Sequence, residues 1–302
     1  MDAKEAARST VDRDTDTLLA LSHRIHAYPE VMFEEEQSSA WAADALSDAG
    51  LPVEMGICSL PTAFSCTVGN GPLHLAICAE YDALPGIGHA CGHNIIAAAA
   101  IGASRALAPL ADELGITLTV FGTPAEEGGG GKILMLERGA FEGVHAAMMV
   151  HPTPREDLYP QVIATTQFLV DYHGRAAHAA IAPHLGVNAL DALTVAQVAI
   201  GLLRQHLRKT ELVHGYVTKG GDAMNVVPAH ASGHWMARAE TSEALENLRP
   251  RVVRCFEAGA LATGCTLHLR NPSPDYAHMV HDHDMAESFR ANAAALGRPA
   301  SE

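Results

Sequence analysis

A chain of 302 residues that is 48% hydrophobic and 18% charged can bury a large core and has room for two domains, which excludes a disordered polymer. Its formal net charge of −15 excludes nucleic acid and anionic membrane as expected partners, because both repel an acidic surface. The longest apolar run, Ile95 to Ala103 with one Gly, is far short of the ~20 residues a membrane span needs.

The first residues, MDAKEAARSTVDRD, are polar and charged and do not read as a secretory signal. Six cysteines form no CxxC pair and no disulfide-dense spacing, so reduced thiols in the cytoplasm are expected. Asp12 to Ala27 predicts an amphipathic helix, and Glu34 to Ala49 a second one stopped by Gly50. Apolar strands are expected at Ala63–Val68 and Leu73–Ala79, followed by a turn and an Ala-rich helix to Leu107. Ile116–Phe121 predicts a strand, Gly131–Arg138 a helix and Ala146–Val150 a strand. This alternation predicts an α/β layer on a mixed, largely parallel sheet.

From Val162 the order changes. A strand (Val162–Tyr172), a helix (Val187–Leu207), two strands (Leu212–Thr218, His230–Ala239), a helix (Ser242–Ala262) and a strand (Thr266–Arg270) follow. That is β-α-β-β-α-β, the ferredoxin-like α+β order. Met279–Ala295 then predicts a helix. The expected division is 1–161, 162–272 and 273–302.

Three strands of the first domain end in candidate ligands. Asp82, His89, Cys91 and His93 follow Leu73–Ala79. Glu126 and Glu127, in GTPAEEGGGG, follow Ile116–Phe121. His151, in VHPTP, follows Ala146–Val150. Ligands of open α/β sheets collect at the carboxyl ends of strands. Thiolate, imidazole and carboxylate are all zinc ligands. Singly, each has a plainer reading. A lone Cys is usually a small hydrophobe. Glu126 and Glu127 suit the start of a helix through its dipole. The glycines at 128–131 suggest a phosphate cradle but lack the GK[ST] ending of a P-loop. Together, on three successive strand ends, a metal site is the better account, with one adjacent acid binding metal and the other taking a proton.

HACGHN, GTPAEEGGGG, VHP, GRAAHAAIAPHLGVNALDAL and GGDAMNVVP resemble the aminoacylase and glutamate-carboxypeptidase type of dinuclear zinc metallopeptidases, peptidase family M20. Among these they are most similar to the amidohydrolase branch with a Cys ligand, in the group of aminobenzoyl-glutamate hydrolase and aminoacylase-like dipeptidases. Asn94 stands where the plant auxin-conjugate hydrolases of the branch carry Asp.

The resemblance implies a catalytic domain with an inserted lid domain that dimerises. It implies two divalent ions, zinc or else manganese, with Cys91, His93, Glu127 and His151 as metal ligands. Glu126 would be the general base and Asp82 an orienting carboxylate. His178 would polarise the scissile carbonyl in a partner subunit, and Asn225 and Arg238 would hold substrate. The implied reaction is hydrolysis of an amide in a dipeptide or N-acyl amino acid. The runner-up is an inactive homologue that binds a metal or small molecule or only dimerises. The family carries a further metal-binding His near its C-terminus. The chain stops one helix past the second domain, so it reads as C-terminally shortened, with weakened activity expected. His278, His281 and His283 lie outside the family's motif.

Overall fold

The computed structural model describes residues 2–298 and divides into two compact units at Arg155/Glu156. The first unit runs α1 (Ala3–Ala27), α2 (Glu36–Ser47), β1 (Val53–Met55), β2 (Phe64–Val68), β3 (Leu73–Ala79), α3 (His93–Leu107), β4 (Ile116–Gly122), α4 (Gly131–Glu137) and β5 (Ala146–Met148). Its sheet has the order β1-β2-β4-β3-β5.

That sheet is mixed rather than largely parallel. The pairs β3/β4 and β3/β5 are parallel, while β1/β2 and β2/β4 are antiparallel. The cause lies in the connections. A parallel neighbour needs a crossover of a dozen or more residues, and α3 supplies one between β3 and β4. Residues 69–72 leave no room for a crossover, so the chain simply reverses between β2 and β3.

Both faces of the sheet are covered. Leu21, Ile25, Ala42, Leu46, Ala97 and Ile101 of α1–α3 pack with Phe64 and Val120 on one face. Met135 of α4 packs with Ala76 and Phe121 on the other. In β3, Ala76 and Ile77 therefore belong to different clusters, as the two-residue period of a strand requires. Buried on both faces, β3 and β4 end at a rim where only loops remain to carry polar groups.

The second unit runs β6 (Ala164–His173), α5 (Ala189–Arg204), β7 (Leu212–Lys219), β8 (His230–Ala239), α6 (Ser242–Thr263), β9 (Thr266–Arg270) and α7 (His283–Ala295). Its strands are all antiparallel, in the order β7-β8-β6-β9. With two crossover helices this is the split β-α-β arrangement. β8 alternates between buried (Ala231, Trp235, Ala237, Ala239) and half-buried positions, so one face of this sheet meets α5 and α6 and the other is open. Asn188 and Thr241 cap α5 and α6 by accepting hydrogen bonds from backbone N–H groups of the first turn.

Candidate metal centre

Three loops of the first unit meet at the carboxyl ends of its parallel strands. β3 continues through Glu80, Tyr81 and Asp82. Tyr81 turns inward, fully buried, and its hydroxyl donates to the Thr62 carbonyl. Glu80 and Asp82, two residues apart, therefore share the opposite side, and each is 1% exposed.

His93, the first residue of α3, lies among them. Its Nδ1 meets Asp82 Oδ1 at 2.9 Å. Its Nε2 lies 3.4 Å from Glu80 Oε2 and 3.7 Å from both Glu126 Oε2 and Glu127 Oε1. Asp82 spends its second oxygen on the loop after β4, accepting from the Glu127 N–H at 2.9 Å. One buried carboxylate thus fixes both the imidazole and the backbone of the acidic pair. The imidazole of His151 stands edge-on to His93, with ring centroids 5.9 Å apart.

Gly92 makes that approach possible. It caps α3 with φ +80, in the left-handed region, and a Cβ there would sit 2.6 Å from Pro152 Cγ. Replacing Gly92 by Ala is therefore expected to push the 151–152 loop away from His93. Zinc affinity should fall about tenfold or more, the scale of losing one outer contact of a metal site. Titration with a competing chelator measures this.

Electrostatics follow from the crowding. Burial alone would lower the His93 imidazole, but the Asp82 hydrogen bond and the carboxylates of Glu80, Asp82 and Glu126 outweigh it and hold it at about 9. Asp82 is held below its usual range, because the His93 and Glu127 hydrogen bonds overcome its burial. Burial and the Glu80 charge push Glu126 up. Burial and the neighbouring Glu127 carboxylate push the Cys91 thiol up to about 12. Lys132 forms an ion pair with Glu80 Oε1 and offsets part of the negative charge.

The residues present fit a bound cation. Glu80 Oε2, His93 Nε2 and Glu127 Oε1 are buried without any hydrogen-bond partner. Such atoms are costly to bury unsatisfied, and the two carboxylate oxygens both face His93 Nε2. Two sets of donors lie with their atoms within 4.8 Å of one another: Glu80, His93 and His151, and His93, Glu126 and Glu127. Imidazole with carboxylate oxygen suits zinc or manganese. A coordinating cation would also reverse the logic at Cys91, since a ligating thiol is deprotonated.

Of the residues singled out from sequence, the structure brings His93, Glu126, Glu127, His151 and Asp82 together. Cys91 lies beside Glu127 but belongs to neither donor set. Sequence reasoning misses Glu80. Its signal is the E-x-D spacing at the end of a buried strand, which places two acids on one side.

His89 is buried in the first unit and belongs to neither donor set; the other candidates lie in the second unit. His178 and Asn225 are exposed neighbours: the Ala179 N–H donates to the Asn225 carbonyl at 2.9 Å, and His178 bridges Val226. Arg238 is on the open sheet face, its Nε 3.3 Å from His214 Nε2. His278, His281 and His283 contact Ser242, the Pro160 carbonyl and the Tyr159 hydroxyl respectively.

Residues 76–302 match the model of peptidase family M20/M25/M40. The chain is 36% identical to the Xaa-Arg dipeptidase of Mus musculus over 97% of its own length and 72% of that protein's. It is 33% identical to one of the subunits of the p-aminobenzoyl-glutamate hydrolase of Escherichia coli, over 86% of its own length and 58% of the relative's. A dinuclear metal-binding peptidase of Bacillus subtilis shares the fold, with a TM-score of 0.70 and 21% identity over 98% of this chain and 82% of that one. The chain belongs to peptidase family M20/M25/M40 and is an amide hydrolase.

Proposed function

We propose that this chain hydrolyses the amide bond of a dipeptide or an N-acyl amino acid at a site holding two divalent ions, zinc first and manganese as the alternative. The observation that carries the reading is the convergence of three buried, unpartnered donor atoms, Glu80 Oε2, His93 Nε2 and Glu127 Oε1, beside the less buried Glu126. When bound, the cations supply the Lewis acidity that polarises the scissile carbonyl.

The chain's own residues do the rest. Asp82 holds His93 by Nδ1 and so presents Nε2 as the donor atom. Glu80, Glu127, His151 and Cys91 complete the ligand set, with Glu80 an addition made from its position. Glu126 takes a proton from the attacking water at its carboxylate and returns it to the leaving amine nitrogen.

In this reading residues 1–161 form the first part of the catalytic domain and 162–272 a lid through which two copies dimerise. Residues 273–302 start the returning catalytic segment. His178 polarises the carbonyl of substrate held by the partner, and Asn225 and Arg238 hold the substrate. Arg238 offers a fork that matches a carboxylate. The cytoplasm suits its reduced thiols. Among the described residues no helix is long and apolar enough to cross a membrane.

The relatives' names supply the probes. The purified chain, loaded with zinc or manganese, is assayed on Xaa-Arg dipeptides and on p-aminobenzoyl-glutamate. Cation-dependent release of the amino acid is the expected result. A protein that holds its cations yet cleaves neither class would favour a binding or dimerising role instead.

A further inference from the structure

A further buried carboxylate lies behind the acidic pair, and nothing in the hydrolytic reading uses it. Glu35, just before α2, is fully buried. Its Oε1 accepts from two backbone N–H groups, Phe33 at 2.9 Å and Ala125 at 2.8 Å. Its Oε2 accepts from the Thr62 hydroxyl at 3.1 Å. Phe33 and Ala125 both have left-handed backbones, with φ of 63 and 55. Residues with a Cβ rarely adopt that conformation and hold it only where the surroundings enforce it.

Each contact leads to the metal centre. Ala125 directly precedes Glu126 and Glu127, and its carbonyl accepts from the N–H groups of Gly129, Gly130 and Gly131. Ala125 thus anchors the acidic loop on its near side, its N–H held by Glu35 and its C=O gathering the glycines, while Asp82 holds the Glu127 N–H. Phe33 covers the same loop: a Cβ on Gly129 would lie 2.4 Å from its ring. Thr62 accepts, at its carbonyl, the hydroxyl of Tyr81, which stands between Glu80 and Asp82. The run of glycines is thus shaped by Phe33 and by its own turn, with no anion needed to explain it.

We propose that Glu35 is a positioning residue that locks the acidic loop, and with it Glu126, in reacting geometry by accepting the Phe33 and Ala125 N–H bonds together. This rests on Glu126 as the base of the proposed reaction. What matters is the reach of an acceptor and not its charge. Burial lifts the Glu35 carboxyl to about 7 despite its three donors, so a neutral form is populated near neutrality in which Oε1 still accepts both bonds.

Two variants separate reach from charge. Glu35→Asp keeps the charge and withdraws the acceptor by one methylene. Glu35→Gln keeps the reach and removes the charge. In the full chain, with and without zinc, hydrogen exchange is followed for peptides covering 123–131, with peptides of α3 as the control. Glu35→Asp is expected to speed exchange at 123–131 about tenfold or more while α3 stays protected. It should also lower kcat about thirtyfold, with KM within about threefold, and Glu35→Gln should stay within about threefold of the parent in all three. Unchanged exchange in Glu35→Asp overturns the proposal. So does Glu35→Gln matching Glu35→Asp, or α3 losing protection along with the loop. The exchange arm needs no turnover, so a chain that cleaves no substrate would count against the hydrolytic reading and leave this test standing.

Discussion

Replacing Glu126 by Gln is expected to lower kcat by about a thousandfold while the protein keeps its zinc. The two adjacent acids sit at different depths: the Glu127 side chain is 18% exposed and Glu126 33% exposed. Glu127 buries an unpartnered oxygen toward His93 Nε2, as a ligand would. Glu126 is the more open of the two, where water and substrate can reach it. Gln preserves its shape and removes its basicity, and positioned proton transfer contributes about 10²–10⁴ in rate. Metal analysis beside steady-state kinetics checks both halves. Loss of zinc together with activity would make Glu126 a ligand.

The second large effect concerns cation binding. Glu80, Asp82, Glu126 and Glu127 crowd around one imidazole, and Lys132 forms an ion pair with Glu80. A cation that binds the folded site should raise the thermal midpoint. At a hundredfold excess over Kd the gain is about 2.7 kcal/mol, or about 5–10 °C for a unit of this size. His93 belongs to both donor sets. His93→Ala should therefore abolish the shift and weaken zinc binding beyond the 10–100-fold typical of losing an outer partner. Asp82→Ala, which removes the partner of His93 Nδ1, should fall within that range. A zinc-induced shift that survives in His93→Ala would place the cation elsewhere. Scanning calorimetry with and without zinc makes the comparison.

Elements whose local signals agreed with their packing were legible from sequence. β3, β8 and β9 fall where alternation and flanking turns predict them, and α3 ends at Leu107 as expected. The start of α1 was not legible, because Lys4 to Ser9 carries no apolar period. There the helix rests on the propensity of Ala, Glu, Lys and Arg. β1 is three residues long, too short to show a pattern. The antiparallel part of the sheet was hidden because local pattern does not say which strand will lie beside which.

In the site, the Cys, His and adjacent-acid motifs stand out because such residues are unusual at strand ends. Glu80 and Glu35 do not, since a lone acid beside a strand or before a helix looks ordinary. The glycines at 128–131 suggest a phosphate cradle in the sequence, whereas in the fold the Lys132 that follows them forms an ion pair with Glu80. Lys132 and Glu35 take their roles from neighbours 52 and 90 residues away in sequence.

The position of β4 between β2 and β3 sets an order on biosynthesis. β2 and β3 are joined by residues 69–72 alone and run in opposite directions, so they have the makings of a hairpin. While the ribosome has yet to deliver Ile116, nothing separates them, and direct zippering of the two strands is the nearest available pairing. The native state needs that shortcut avoided or undone so that a later strand can slide into the gap. Long-range insertion of this kind is slow and leaves open strand borders waiting for a partner. Glu126, Glu127 and His151 arrive after Ile116–Gly122, so the proposed cation site is complete only once the strand that fills the gap has been made.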